Sequence, residues 1–206
     1  MKWHPSQLGK LMTNPRSKSE VLSETAKSEI RRIAKEDFFG YETELNTKPI
    51  LKGKLWEQEG IDLLNQVRFT KYVKNAVRVE NEYMTGECDI IIDDLIIDIK
   101  SSWSLETFPA TPSEGDSSDY EWQGRAYMWL YDRPSFELIY TMYDTDDTLL
   151  TDWDNKSIHK VSHIDPIKRI TVIRYERDTQ YEELIIERLR ACNEYYSQYV
   201  NELNSK

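Results

Sequence analysis

Residues 86–102 have the sequence GECDIIIDDLIIDIKSS, in which two short runs of apolar, mostly β-branched residues, 90–92 and 95–97, flank Asp93 and Asp94. Two apolar runs joined by a two-residue polar turn predict a β-hairpin whose strands are largely buried. In a hairpin that turns at residues 93–94, residue 89 lies opposite residue 98. The turn therefore decides which charged residues of the stretch become neighbours.

Three charged residues interrupt this otherwise apolar hairpin: Asp89 opens it, and Asp98 and Lys100 lie in its second strand. Residues two apart in a strand point to the same face, so Asp98 and Lys100 are expected side by side. Asp89 is expected across the strand pair from Asp98, with the two Cβ atoms roughly 5 Å apart. Two acids and one lysine are therefore predicted to meet on one face of the hairpin.

Two carboxylates this close repel each other unless a divalent cation such as Mg²⁺ lies between them. A lysine beside that cation can hold a water molecule or help to deprotonate it, or it can neutralise charge that develops on a phosphate. The alternative is an ordinary hairpin with a buried Asp–Lys ion pair, which an isolated D-x-K pattern would favour. The motifs that flank the hairpin favour the metal site instead.

Four short motifs follow one another along the chain: Gly53-x-x-x-Glu57, Gly86-x-x-Asp89, Asp98-Ile99-Lys100 and Gln123-x-x-x-Tyr127. In order and spacing they resemble the motifs of the PD-(D/E)xK nuclease superfamily, in particular its phage lambda exonuclease/YqaJ-type (RecB-like) branch. The resemblance covers roughly residues 50–130. The second acid is Asp98 rather than the more frequent glutamate, which shortens one ligand arm.

The resemblance implies an α/β fold with a mixed central β-sheet, flanking helices and a restriction-endonuclease-like core. It also implies a metal-dependent DNA exonuclease that cleaves from a duplex end and leaves a 3′-hydroxyl and a 5′-phosphate, as in phage-type recombination. The implied cofactor is Mg²⁺, with Mn²⁺ able to substitute. The implied catalytic residues are Asp89, Asp98, Lys100, Glu57 and Gln123, and the implied metal ligands are Asp89, Asp98, the Ile99 carbonyl and Glu57.

Candidate DNA contacts are hydroxyl, basic and aromatic residues near the chain start, after the hairpin and on the Q-x-x-x-Y helix. They are Ser6, Lys10, Arg16, Arg31, Ser101, Ser102, Arg125 and Tyr127. Hydroxyl and cationic side chains are the usual partners of phosphate oxygens. A solvated surface is the alternative for the basic residues, and core packing is the alternative for most aromatic ones.

The net charge of −10 counts against a generic DNA-binding protein, which usually carries a basic face. The charge is unevenly distributed, however, because residues 1–35 contain eight Lys and Arg residues and three Glu residues. The acidic residues concentrate between residues 80 and 160. We therefore expect DNA to approach along the first third of the chain.

Cys88 and Cys192 are too few to ligate an iron–sulfur cluster, and they fit a reduced, cytoplasmic setting, that of the host if the protein is phage-encoded. No apolar run approaches the ~20 residues of a membrane helix, and no signal peptide is expected. The expected partners are double-stranded DNA ends, a single-strand annealing protein and further copies of the chain, since relatives form rings. The alternatives are a RecB-like endonuclease or flap nuclease without a cluster, and a non-catalytic DNA- or protein-binding module of the same fold.

The chain is expected to form a single nuclease domain over residues 1–206. Within it we expect an N-terminal DNA-contacting helical segment (1–48), a catalytic core (49–143) and an acidic surface insertion followed by a strand and a C-terminal helix (144–206). Apolar periodicity predicts helices at 19–39, 49–67, 119–131 and 179–203. Strands are predicted at 69–74, 76–84, 136–143 and 168–177, besides the hairpin.

Overall fold

The computed structural model describes residues 1–44 and 46–205. Along these residues the chain forms α1 (Leu8–Leu11), α2 (Glu24–Phe39), α3 (Lys48–Leu55), α4 (Glu57–Arg68), β1 (Val79–Glu80), β2 (Thr85–Gly86), β3 (Ile90–Ile92), β4 (Leu95–Ser101), α5 (Pro112–Gly115), α6 (Ser118–Tyr131), β5 (Ser135–Thr141), β6 (Ile170–Glu176) and α7 (Thr179–Asn204). No helix within the described ranges is long and apolar enough to cross a membrane.

The central sheet has four strands in the order β3–β4–β5–β6. The predicted hairpin is confirmed with the predicted register, because Ile90 pairs with Ile97 and Ile92 with Leu95 across the turn. β4 and β5 run parallel, whereas β5 and β6 are antiparallel. A parallel pair needs a crossover connection, and α6 supplies it. The expected mixed sheet with flanking helices is therefore present.

The two faces of the sheet are covered by different helices. Ile96 and Phe136 face a large apolar cluster that includes residues of α1, α2, α6 and α7. Ile97 and Ile99 face the opposite way and pack with Ile61 of α4. Because side chains alternate along a strand, Asp98 must share the face of Ile96. That alternation turns the charged residues of β4 towards α6.

α6 lies very close to the sheet because of a glycine. A Cβ atom added to Gly124 would come within 2.3 Å of the Phe136 ring, which is fully buried on β5. Only a residue without a side chain allows this approach. Gly124 follows Gln123 directly, so this contact also sets how far Gln123 stands from β4.

The helix expected over residues 49–67 is two helices, α3 and α4, which meet at Trp56. Lys52 anchors the first of these helices, because its fully buried ammonium donates to the carbonyl oxygens of Ser102 (2.8 Å) and Tyr143 (2.9 Å). This anchor draws α3 onto the ends of β4 and β5. Gly53 and Glu57 therefore lie on different helices, and not on adjacent rungs of one helix.

The strands predicted over 69–74 and 76–84 are largely wrong, since within residues 69–84 only Val79–Glu80 is a strand. Side chains form hydrogen bonds with backbone groups that would otherwise pair with a neighbouring strand. The carboxamide oxygen of Asn65 accepts the amide hydrogen of Tyr72 at 2.7 Å. The amide of Asn75 donates to the carbonyl of Asp89 at 2.7 Å, which ties the segment to the start of the hairpin.

Two segments expected at the surface contribute to the core. Trp3, Leu8 and Leu11 are fully buried, so the first residues of the chain are part of the folded body. The acidic stretch 144–162 also buries Thr145 and Val161 completely. These anchors were not predicted within the DNA-contacting N-terminal segment or the acidic surface insertion, because isolated apolar residues carry no periodic signal.

Replacing Gly124 with alanine should destabilise the protein, because the new methyl group would overlap the buried Phe136 ring. Overpacking of this kind costs about 1–3 kcal/mol, and each kcal/mol lowers the unfolding temperature of a chain this size by roughly 2–4 °C. Gly53→Ala is the matched control, since nothing lies within 4 Å of its added Cβ. A melting temperature equal to that of wild type for Gly124→Ala would contradict the close packing of α6.

Candidate active site

Asp98 and Lys100 meet on the α6-facing side of β4. The Lys100 ammonium lies 2.6 Å from Oδ2 of Asp98, which is almost fully buried. Gln123 of α6 contacts both residues: its Nε2 donates to Oδ1 of Asp98 at 3.3 Å, and its Oε1 accepts from Nζ of Lys100 at 3.4 Å. One carboxamide thus fixes the orientation of the acid and of the lysine.

Asp89 stands at the start of the hairpin and reaches across to the second strand. Its Oδ2 accepts the amide hydrogen of Ile99 at 2.6 Å. Burial raises the pKa of Asp89 to about 8, and the neighbouring Asp98 carboxylate adds to the increase. The two hairpin carboxylates therefore repel each other in a poorly solvated place, as their predicted positions across the strand pair imply.

Lys100 keeps its charge in spite of its surroundings. Burial alone would lower its pKa, but the Asp98 carboxylate outweighs that effect and leaves the pKa of Lys100 raised. The Tyr120 ring lies 4.8 Å from the ammonium and provides a cation–π contact. A lysine that stays protonated can donate to a water molecule or to a phosphate oxygen, but it cannot act as a base.

A cavity of about 450 Å³ opens above these residues. Eight of the residues expected to act on metal or DNA line it: Glu57, Asp89, Asp98, Ile99, Lys100, Ser101, Gln123 and Tyr127. The other lining residues come from α3 and α6: Pro49, Ile50, Gly53, Lys54 and Tyr120. Residues that are far apart in the sequence are thus gathered around one space.

Glu57 and Tyr127 each have a specific place at the wall of the cavity. Glu57 is the first residue of α4, where a carboxylate also interacts favourably with the helix dipole. It forms an ion pair with Lys74. The Tyr127 hydroxyl donates to the Glu87 carbonyl at 2.9 Å, and burial raises the pKa of Tyr127, so this hydroxyl stays protonated.

The donor set fits a divalent cation in its chemistry. Asp89 and Asp98 provide hard oxygen atoms, the type that Mg²⁺ prefers, and Glu57 lines the same cavity. Oδ2 of Asp98 is buried beside the Lys100 ammonium, and its second lone pair stays available to a ligand. Across residues 1–44 and 46–205, no three Asp, Glu, His or Cys side chains converge as a ready metal cluster. Glu57 lies at the wall of the same cavity, where it forms an ion pair with Lys74.

Six predicted DNA contacts are not at the cavity: Ser6, Lys10, Arg16, Arg31, Ser102 and Arg125. Several of them have partners within the protein. Lys10 pairs with Glu29 at 2.9 Å, and Arg31 donates to the Tyr195 hydroxyl at 2.6 Å. The Arg125 side chain pairs with a glutamate of its own helix and packs on aromatic rings.

Sequence reasoning missed four residues of the site or its support: Lys52, Lys54, Lys74 and Tyr120. Tyr120 could have been found, because it precedes Gln123 by three positions and must share its helix face. Lys54 lies one residue after the glycine of the first motif. Lys52 and Lys74 carry no local signal, since their roles depend on partners at least 17 residues away.

Comparison with solved structures finds exonucleases. A phage-related exonuclease from Haemophilus somnus 129PT is 34% identical, with a TM-score of 0.92 over 98% of this chain and 96% of its own. LHK-Exo, an alkaline exonuclease from Laribacter hongkongensis, is 13% identical, with a TM-score of 0.71 over 99% of this chain and 92% of its own. The second likeness shows a shared fold alone. No family model and no curated protein matches the chain.

Asp89→Asn should raise the stability of the metal-free protein, because it removes one of two like charges from a buried place and keeps an acceptor for Ile99. The raised pKa of Asp89 means that its stability cost appears as the pH rises from about 4 towards about 8. The gain of the variant over wild type should therefore grow across that range. Thermal melts in a chelating buffer measure it, and a gain that shrinks with rising pH would contradict the repulsion.

Proposed function

This chain belongs to the phage-exonuclease branch of the PD-(D/E)xK nuclease superfamily, and from that premise we propose that it is a metal-dependent exonuclease that hydrolyses duplex DNA from an end. The observation that carries the proposal is the acid pair Asp89 and Asp98 beside the charged Lys100, at the floor of a cavity that Glu57 also lines. This group of residues is best suited to the function of a nuclease.

The cation would be held by Asp89, Asp98 and the Ile99 carbonyl, with Glu57 direct or through water. Mg²⁺ would polarise the phosphate and lower the pKa of a bound water, and Mn²⁺ would be able to substitute. Side chains of the protein supply the remaining interactions. Lys100 donates to the attacking water or to the phosphate oxygens, and Gln123 keeps Lys100 and Asp98 aligned. In-line attack of water then leaves a 3′-hydroxyl and a 5′-phosphate.

The cavity wall supplies groups suited to a nucleotide. The Ser101 hydroxyl lines the cavity and accepts a hydrogen bond from the Tyr143 hydroxyl at 2.8 Å, which leaves its own hydrogen for a phosphate oxygen. Tyr120 offers an aromatic face beside Lys100. Bases and sugars stack on such rings without sequence preference, as an exonuclease requires.

The process, the compartment and the partners of the enzyme are part of the proposed function. We assign it to phage-type recombination in the host cytoplasm, acting with a single-strand annealing protein and as a ring of copies. Ser6, Lys10, Arg16 and Arg31 stay predictions for contacts with duplex DNA beyond the cavity. They should be tested by point substitutions, because deletion of the N-terminal segment would remove core residues such as Trp3.

The central test is digestion of linear and circular duplexes, with one chosen end labelled, in Mg²⁺ and in chelator. We expect stepwise loss of the label from linear DNA in Mg²⁺ and no cleavage in chelator. Cleavage of circular DNA at the same rate would favour an endonuclease. Folded protein that binds DNA without cutting it would favour a non-catalytic binding module.

Asp98→Asn and Asp89→Asn should each lower the cleavage rate by ~10²-fold or more, the scale for a lost electrostatic group at a reacting centre. Both variants should remain folded, because asparagine has almost the same shape as aspartate. Asp93→Asn is the matched control, since it removes the same charge from the exposed turn of the same hairpin. Turnover of folded Asp98→Asn at the wild-type rate would contradict the site.

Lys100→Ala should lower the single-turnover rate by ~10²-fold while DNA affinity in Ca²⁺ changes little. The reason is that Lys100 lies 2.6 Å from Asp98 at the reacting centre and is one phosphate contact among several. Rapid-quench digestion and fluorescence anisotropy measure the two quantities. Lost binding with an unchanged rate would make Lys100 a docking residue instead.

A further inference from the structure

Lys74 lies at the rim of the candidate active site and was not part of the motif pattern. It belongs to the irregular segment between α4 and β1, and its ammonium forms an ion pair with Oε2 of Glu57. The Glu57 carboxylate is about three-quarters buried, whereas the Lys74 side chain is 47% exposed. The acid is thus fixed at the cavity wall, while the lysine reaches it from the solvent side.

The backbone next to Lys74 is held in place by the active-site hairpin. The backbone N–H of Asn75 donates to the backbone carbonyl of Asp89 at 2.7 Å. The buried Asn75 side chain donates to the Cys88 carbonyl at 3.2 Å and contacts the Tyr131 hydroxyl at 3.3 Å. The backbone of Lys74 is therefore one residue away from an anchor on a predicted metal ligand.

The charges around Lys74 are those of the site itself. The Glu57 carboxylate is the main cause of the raised pKa of Lys74, and Asp89 and Glu87 contribute to it. The Lys74 ammonium thus stands where Glu57, Asp89 and Glu87 act on it together. A positive charge in this place does part of what a divalent cation would do.

We propose that Lys74 occupies the Glu57 carboxylate while no cation is bound, and that Lys74 contacts a DNA phosphate once a bound cation has displaced it from Glu57. The inference rests on the proposed function, since it concerns the same cavity. It gives a function to the ion pair that engages Glu57 at the wall of the cavity. The Lys74 ammonium would then be free to contact DNA at this rim only when the metal is bound.

The physical argument is one of competition for a single carboxylate. A partly exposed ion pair between a lysine and a glutamate contributes little stability, so a divalent cation displaces the lysine easily. The released ammonium sits on a four-carbon stem at the mouth of a cavity that accepts a phosphodiester. A phosphate is then its strongest available partner, because the nearby carboxylates are neutralised by the cation.

The test measures Ca²⁺ affinity by calorimetry, and the affinity for a labelled duplex by anisotropy with Ca²⁺ or with chelator. Lys74→Ala should bind Ca²⁺ about three- to tenfold more tightly, the scale of one partly exposed charge pair. Its DNA affinity should fall by a similar factor in Ca²⁺ and not in chelator. In Ca²⁺ its salt slope should also be less steep by about 0.9.

Matched variants separate this role from a general charge effect. Lys71→Ala removes the same charge from an exposed position of the same segment and should change neither affinity in a Ca²⁺-dependent way. Glu57→Gln should raise DNA affinity in chelator, because it releases Lys74 without a cation. The double variant with Lys74→Ala should lose that rise, and Glu59→Gln, an exposed acid nearby, should not produce it.

Each contrary outcome has a distinct meaning. An equal loss of DNA affinity with and without Ca²⁺ in Lys74→Ala would overturn the exchange and leave a permanent phosphate contact. Unchanged Ca²⁺ and DNA affinities would leave a surface ion pair. If wild-type protein binds no Ca²⁺, the proposed function fails and this role of Lys74 fails with it, whereas normal Ca²⁺ binding confines the failure to Lys74.

Discussion

Two carboxylates that repel each other, Asp89 and Asp98, are held at the end of a β-hairpin in a place with little water. Burial and the Asp98 carboxylate raise the pKa of Asp89 to about 8, and the Ile99 amide and the Lys100 ammonium partly offset the charge of the pair. Such an arrangement costs folding free energy in the metal-free protein. Proteins tolerate that cost at functional sites, where the surrounding packing over-determines the strained arrangement.

The surrounding packing holds the site from both faces of the sheet. Gly124 lets α6 approach Phe136, so that Gln123 reaches both Asp98 and Lys100. On the other side, the buried ammonium of Lys52 binds carbonyl oxygens at the ends of β4 and β5 and fixes α3 against them. A buried charge is tolerable only when its hydrogen-bonding capacity is filled, so this anchor allows little movement of α3.

The electrostatics of the chain depend on where its charges lie more than on their sum. The net charge is −10, and the basic excess of residues 1–35 is partly used up by internal pairs such as Lys10–Glu29 and Arg32–Glu36. The cavity, in contrast, has Lys54 and Lys100 in its wall. These two lysines share the wall with Glu57, Asp89 and Asp98, so the local arrangement of charge, and not the net charge, decides how a phosphate is received.

The sequence by itself determined the hairpin, its register and the meeting of Asp89, Asp98 and Lys100, because strand alternation is a local rule. The spacing of the four motifs likewise indicated the nuclease fold and the place of Glu57, Gln123 and Tyr127. Only the tertiary structure decided that residues 49–67 form two helices, that the N-terminal segment is core and that Lys74 faces Glu57. Those features depend on contacts between residues distant in the chain, such as Lys52 with Tyr143, and no local periodicity encodes them.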